Sequence, residues 1–188
     1  MVYNNLLWLI FGYLLGSIPS AVILGKIYGI KDIRNHGSGN MGTLNVYRTI
    51  GLKYGLVTLL LDLGKGLAAS HLAYTISGEV NIAYLVTVAA IVGHMFPLYV
   101  NFQGGKSLAV YAGSMIFLEI SVLLITFLGW ILFYLLTDSI SFSSLLAFGV
   151  LPPLVVLLGW GWSCFFLFIT GSSLILAGRQ LIALRSEF

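Results

Sequence analysis

The sequence predicts an all-α integral membrane protein, one bundle of about seven transmembrane helices, and three observations carry that reading. Of the 188 residues, 59% are hydrophobic and only 8% are charged, against roughly 25% charged in a soluble globular domain. The apolar residues are gathered into long runs, and the basic residues fall between those runs. A water-soluble fold of this size could not hide so much apolar surface. Disorder is excluded as well, because 12 Phe, 10 Tyr and 4 Trp with few charges invert its signature. The single cysteine, Cys164, rules out an internal disulfide and any CxxC metal or redox site. Residues 1–188 read as a single transmembrane domain whose function sits inside the bundle or at its rim.

The first apolar run, residues 6–24, is followed rather than preceded by positive charge. That is the reverse of a secretory signal, so it reads as a spanning helix with its N-terminus outside. Further runs lie at about 54–76, 82–100, 108–118, 121–136, 145–158 and 162–177. About 20 residues cross roughly 30 Å of hydrocarbon, so several of these are short. Short segments beside a polar loop suggest helices that end within the membrane and line a cavity. Alternation from an outside start puts Lys26, Lys31, Arg34, Arg48, Lys53, Lys106, Arg179 and Arg185 in inner loops. Glu79 and Glu119 fall outside, and Lys65 lies within a span. With eight of the nine basic residues on one side, the pattern predicts seven spans and a cytoplasmic C-terminus. Merging 108–136 into one tilted helix would give six spans and the opposite C-terminus. Gly12-x-x-x-Gly16 and Gly25-x-x-x-Gly29 have the spacing of close helix packing, and packing is their simplest role.

In a chain this apolar, polar clusters carry the functional information. The first is the inner loop 31–48, with Gly37, Ser38, Gly39, Asn40, Gly42, Asn45 and Arg48. Its glycines satisfy GxGxxG, but a basic polar stretch precedes them instead of a buried strand, so a dinucleotide site is rejected. Glycines still let backbone N–H groups approach an anion, and a helix start adds partial positive charge. Ser38, Asn40 and Asn45 add donors, and Arg48 can clamp a phosphate through two hydrogen bonds.

The second cluster runs from His94 through Pro97 to Gly104, Gly105, Lys106 and Ser107. A P-loop is excluded because Val100 stands where its first glycine belongs. Two glycines and a lysine before a short apolar helix nevertheless form a second anion site. Asp62 and Lys65, three apart within a span, share a helix face and read as an ion pair. A serine-rich inner turn, Asp138 to Ser144, offers helix caps or further hydroxyl donors. His36, His71 and His94 show no HxxxxD pattern, and no His, Cys or carboxylate cluster has metal-ligand spacing, so no cofactor is expected. Two anion sites on one side of a small bundle point to a phosphorylated substrate at the cytoplasmic interface, and nothing points to nucleic acid.

Taken in order, Gly16-Ser17-Ile18-Pro19-Ser20, the Gly37–Gly42 run with Asn45 and Arg48, Leu61-Asp62-Leu63-Gly64-Lys65-Gly66, Gly93-His94-Met95-Phe96-Pro97 and Gly104-Gly105-Lys106 resemble the bacterial acyl-phosphate:glycerol-3-phosphate acyltransferases of the PlsY type. The resemblance implies a seven-helix inner-membrane enzyme with a cytoplasmic-facing site. It would transfer a fatty acyl group from acyl phosphate to glycerol 3-phosphate, giving lysophosphatidic acid for phospholipid biosynthesis. Its partners would be membrane lipids and the soluble phosphate acyltransferase that makes acyl phosphate. Carried over, Ser38, Arg48, Lys106 and Ser144 would bind phosphates, Gly104 and Gly105 would let the backbone approach, and Asn40 and Asn45 would shape the loop. Ser38, Lys106 and His94 are the catalytic candidates. The family pattern is departed from at Thr43-Leu44, at Ser107 where the family has glycine, and at 178–182, where only Arg179 and Ile182 match its His-Arg-Glu-Asn-Ile run. A diverged, weakly active phosphate-binding homologue and a small-anion transporter are the alternative readings.

Overall fold

The computed structural model describes residues 2–138 together with 143, 146 and 147. The elements run α1 (Val2–Ser17), α2 (Ser20–Ile27), a short 3-10 turn (Ile33–Asn35), α3 (Thr43–Ile50), α4 (Leu52–Ser77), α5 (Val80–Met95), a second 3-10 turn (Leu98–Val100), α6 (Leu108–Leu118) and α7 (Ile120–Thr137). Among the described residues the fold is therefore all-helical. Four segments are long and apolar enough to cross a membrane: Asn5–Ile27, Leu52–Ser77, Val80–Val100 and Ile120–Thr137. Leu108–Leu118 is a shorter apolar helix. The spans expected at 145–158 and 162–177 lie outside the described residues.

The first span departs from expectation, because it is two helices broken at Ile18–Pro19. Proline has no N–H and disfavours helical geometry in the residue before it, so the ladder stops there. The Ile18 carbonyl left over accepts from the Ser20 N–H at 3.1 Å and from the Lys65 ammonium at 2.8 Å. The fourth and fifth apolar runs stay separate helices. Glu119 between them is non-helical (φ −156°, ψ 74°) and interrupts the ladder.

α1 lies along α5, and α4 along both α5 and α6. Glycine makes the second contact close. A methyl group at Gly66 would overlap the Val110 carbonyl, and one at Gly113 would overlap that of Leu63. The Ser114 hydroxyl donates across the same contact to the Gly66 carbonyl at 2.9 Å. Gly12 and Gly16 seat α1 on Val86 and Ala90, and Gly25 packs on Ile33. A Cβ on Gly29 would meet nothing within 4 Å, and its φ is +96°, so Gly29 lets the chain turn after α2 and does not take the packing role expected of it. One apolar cluster fills the α4–α5–α6 interior around Ile91, Tyr111 and Met115. A second, with Val22, Ile33, Met41 and Val46, sits under the polar loop and pins both of its ends. Many leucines elsewhere are exposed, including Leu60, Leu128 and Leu135, as suits a hydrocarbon solvent.

Candidate active site

A cavity of about 480 Å³ opens where the first polar loop, α3, α4, α5 and the start of α6 meet. Its wall includes Ser38, Asn40, Asn45, Arg48, His94 and Lys106, so six of the residues expected from the sequence come together across 68 positions of chain. Ser144 lies outside the described residues. Nearby, the hydroxyls of Thr137 and Ser143 are 3.1 Å apart.

The loop's shape follows from two glycines in left-handed backbone, Gly37 (φ +61°) and Gly39 (φ +68°). A Cβ on Gly37 would overlap the Asn45 side-chain oxygen. In its absence the Ser38 N–H reaches that oxygen at 2.9 Å, and Asn45 Nδ2 donates to the Ile33 carbonyl at 3.1 Å. Asn45, only 1% exposed, thus staples the loop to the start of α3. Asn40 Oδ1 is buried with no hydrogen-bond partner among the described residues, and Asn40 lines the cavity. Gly42, Thr43 and Leu44 bring the N-terminus of α3 to the same wall. The first N–H groups of a helix have no partner within it, so they add donors and partial positive charge beside Arg48.

The second loop is arranged differently from expectation. The Gly104 N–H donates to the Met95 carbonyl and the Gly105 N–H to the His94 carbonyl, each at 3.1 Å. Both amides are therefore spent on the last turn of α5, and neither glycine lines the cavity. Their small size does the work, since a Cβ on Gly105 would overlap the His94 imidazole. Lys106, Ser107 and Leu108 follow, and they carry the N-terminus of α6 into the cavity. Ser107 takes a left-handed φ of +58° and its hydroxyl donates to the Ile91 carbonyl at 2.9 Å.

One contact between the two loops was not foreseen. Arg34 makes a bidentate pair with Asp32 (Nη2 to Oδ2, 2.7 Å), and its Nη1 donates to the Val100 carbonyl at 2.7 Å. The Arg34 hydrogen bonds hold the Asp32 carboxyl below the usual carboxylate range, and Asp32 in turn raises Arg34.

Asp62 and Lys65 form the expected ion pair, 2.9 Å from Nζ to Oδ1, with both side chains buried. The sequence did not show that their roles diverge. Lys65 turns away to the Ile18 carbonyl, whereas Asp62 lines the cavity 3.9 Å from His94 Nδ1. Leu59, Leu63, Leu108, Ala109 and Ala112 supply an apolar wall that periodicity alone could not assign. Among the described residues, no group of three His, Cys, Asp or Glu side chains could hold a metal ion. The cavity therefore joins two helix N-termini, Arg48 and Lys106 to an apolar slot. That combination suits a phosphorylated ligand carrying a lipid-like chain.

Comparison with known proteins agrees with this geometry. Residues 6–184 match the family described as glycerol-3-phosphate acyltransferase. Glycerol-3-phosphate acyltransferase 2 of Bacillus anthracis is 41% identical over 143 residues, covering 76% of this chain and 75% of that protein. The glycerol-3-phosphate acyltransferase of Brucella suis is 44% identical over 144 residues, covering 77% and 71% respectively. The crystal structure of PlsY, an integral membrane glycerol 3-phosphate acyltransferase, in its glycerol 3-phosphate form superposes with a TM-score of 0.84 at 32% identity, over 97% of this chain and 91% of that one. Its lysophosphatidic acid form gives a TM-score of 0.83 at 31% identity, with the same coverage.

Proposed function

The chain belongs to the glycerol-3-phosphate acyltransferase family, and on that premise we propose how its cavity carries out the reaction. The protein is a multi-pass membrane acyltransferase of phospholipid biosynthesis that acylates glycerol 3-phosphate to lysophosphatidic acid. The donor is acyl phosphate, delivered by a soluble phosphate acyltransferase. The supporting observation is the meeting, in one cavity, of two helix N-termini, Arg48 and Lys106 with an apolar wall.

Arg48, Ser38 and the α3 N-terminus hold one phosphate, and Lys106 with the α6 N-terminus holds the other. Ser144 adds a hydroxyl. The acyl chain lies along Leu59, Leu63 and Ala112. The primary hydroxyl of the acceptor attacks the acyl carbon, an ester bond forms, and the carbon–oxygen bond to the phosphoryl group breaks. Inorganic phosphate leaves with the bonding pair. A phosphate monoester has a second pKa of about 6, so the acceptor's own phosphate takes the proton. Lys106 and Ser38 stabilise the charge that builds on the leaving phosphate, as fixed donors do at a developing anion.

Seven spans place the N-terminus outside, the C-terminus and the cavity on the cytoplasmic side, and the whole in the bacterial inner membrane. The distribution of lysine and arginine supports this orientation. In a Cys164→Ser background, a cysteine at position 79 should react with impermeant thiol reagents from outside, and one at position 35 should not. Equal labelling contradicts the orientation.

Proteoliposomes loaded with the purified protein test the function. With labelled glycerol 3-phosphate and acyl phosphate, label should move into lysophosphatidic acid. Uptake of the label without acylation would identify a transporter instead.

A further inference from the structure

Outside the cavity, α2 and α4 each leave an apolar stripe uncovered. Ile23 and Ile27 are exposed on α2, and Leu52, Leu56 and Leu60 on α4, with Ile27 at 70%, Leu52 at 62% and Leu60 at 66%. Four-residue spacing puts each set on one helix face. None of the five lines the cavity, whose wall takes Leu59 and Leu63 from α4 instead. Tyr28 and Tyr54 join the two helix ends, their ring centroids 5.2 Å apart and edge to face. Ile27 and Leu52 flank those rings and stand at the ends of the Asn5–Ile27 and Leu52–Ser77 spans. From there the α4 stripe runs about 12 Å along its helix, most of the roughly 15 Å of hydrocarbon in one leaflet.

Three exposed lysines sit at the same helix ends. Lys26 is in the last turn of α2, Lys31 follows that helix, and Lys53 is in the first turn of α4. Among the described residues none of the three has an ion-pair partner, because Asp32 is held by Arg34 and Asp62 by Lys65. Like charges left together favour an anion that neutralises them. Hydrocarbon alone would cover the stripes, and a free phosphate alone would answer the lysines. An anionic lipid does both in one molecule. A zwitterionic lipid brings its own cation against the lysines and forfeits the electrostatic gain.

We propose that the edge formed by α2 and α4 is a binding site for an anionic phospholipid, separate from the substrate cavity. The headgroup phosphate sits among Lys26, Lys31 and Lys53, as anionic headgroups do in basic patches at span ends. Tyr28 and Tyr54 lie at the level of the headgroup, where amphipathic rings are favoured. The acyl chains run down Ile27 and Ile23 on one side and Leu52, Leu56 and Leu60 on the other.

Native mass spectrometry of the purified full-length protein in detergent tests this by counting bound lipids. Phosphatidylglycerol and phosphatidylcholine with the same acyl chains are titrated separately, and inorganic phosphate is added in a further arm. A lysine near the headgroup is worth about fivefold in affinity for an anionic lipid, so the wild type should hold one phosphatidylglycerol roughly 100-fold more tightly than phosphatidylcholine. Lys26→Gln, Lys31→Gln and Lys53→Gln together should bring the two lipids within about threefold of each other, and the three arginine replacements should keep the preference. All of these change exposed side chains, and a thermal melt confirms that each variant is folded. Equal retention of the two lipids by the wild type would overturn the site, as would a folded glutamine variant that keeps the preference. Displacement of phosphatidylglycerol by an equal concentration of inorganic phosphate would identify a free-phosphate site instead. A dimer without bound lipid would assign the face to a second copy of the chain, and either result overturns the proposal.

Discussion

The side-chain oxygen of Asn45 accepts the Ser38 N–H at 2.9 Å, and this single bond shapes the phosphate-facing loop. Asn45→Ala removes it, along with the buried bond to the Ile33 carbonyl. The expected cost in stability is about 1–3 kcal/mol, that of leaving a buried polar partner unsatisfied. The kcat/KM for glycerol 3-phosphate should fall by more than about tenfold, because Ser38 is no longer held. Thermal unfolding in detergent and steady-state kinetics measure the two effects separately. A folded Asn45→Ala protein with wild-type kinetics would remove the loop from the account.

Arg48, from the last turn of α3, and Lys106, just before α6, both line the cavity. Each alanine substitution should lower kcat/KM by roughly 10- to 150-fold, the worth of one charge-assisted hydrogen bond, and leave the unfolding temperature nearly unchanged. A residue whose variant folds and keeps normal kinetics is not a phosphate ligand.

Ser107 stands in left-handed backbone, at φ +58°. The conformation costs a non-glycine residue about 1 kcal/mol. The hydroxyl bond to the Ile91 carbonyl offsets most of that. Ser107→Gly should therefore be close to neutral in stability. Ser107→Ala keeps the strain and loses the bond, and should be destabilised by about 0.5–1.5 kcal/mol. Thermal melts that rank alanine at or above glycine would show that the backbone strain is not real.

These substitutions also mark how far the sequence could be read. Run lengths and charge placement made the class of fold legible, and the glycines before Arg48 and Lys106 made two anion sites legible. The break at Pro19 is hidden by the apolar residues on both sides, which read as one continuous run. The carbonyl partners of Gly104 and Gly105 were not legible, because they depend on where the chain returns after Pro97. Nor was the meeting of Asp62 with His94, since spacing pairs residues on one helix and only packing pairs them between helices. Ser144 lies beyond what the described residues can place.

The contact between the two loops has a defined pH dependence. Arg34 lowers the pKa of Asp32 in the folded protein, so the pair adds stability above the unfolded carboxyl value. That stability is lost as the pH falls through the depressed folded value. The difference in melting temperature between wild type and Asp32→Asn should stay constant from about pH 5 to 8 and shrink only below about pH 4, the ordinary range of an aspartate. A difference that already shrinks between pH 7 and 5 would contradict the assignment.

Proton transfer to the acceptor's phosphate makes a separate claim about His94. With glycerol 3-phosphate as acceptor, His94→Gln should lower kcat by less than about tenfold. Removal of a general base typically costs 10²–10⁴-fold. A loss of that size with this acceptor, at nearly unchanged KM, would make His94 the base.

The central claim is acyl transfer from acyl phosphate to glycerol 3-phosphate within one cavity, and a product balance tests it most directly. Purified protein in detergent is given acyl phosphate and labelled glycerol 3-phosphate, and both products are counted over time. One lysophosphatidic acid should form for each inorganic phosphate released, and acyl-CoA should not replace the donor. Phosphate release without lysophosphatidic acid, or equal acylation from acyl-CoA, would contradict the account.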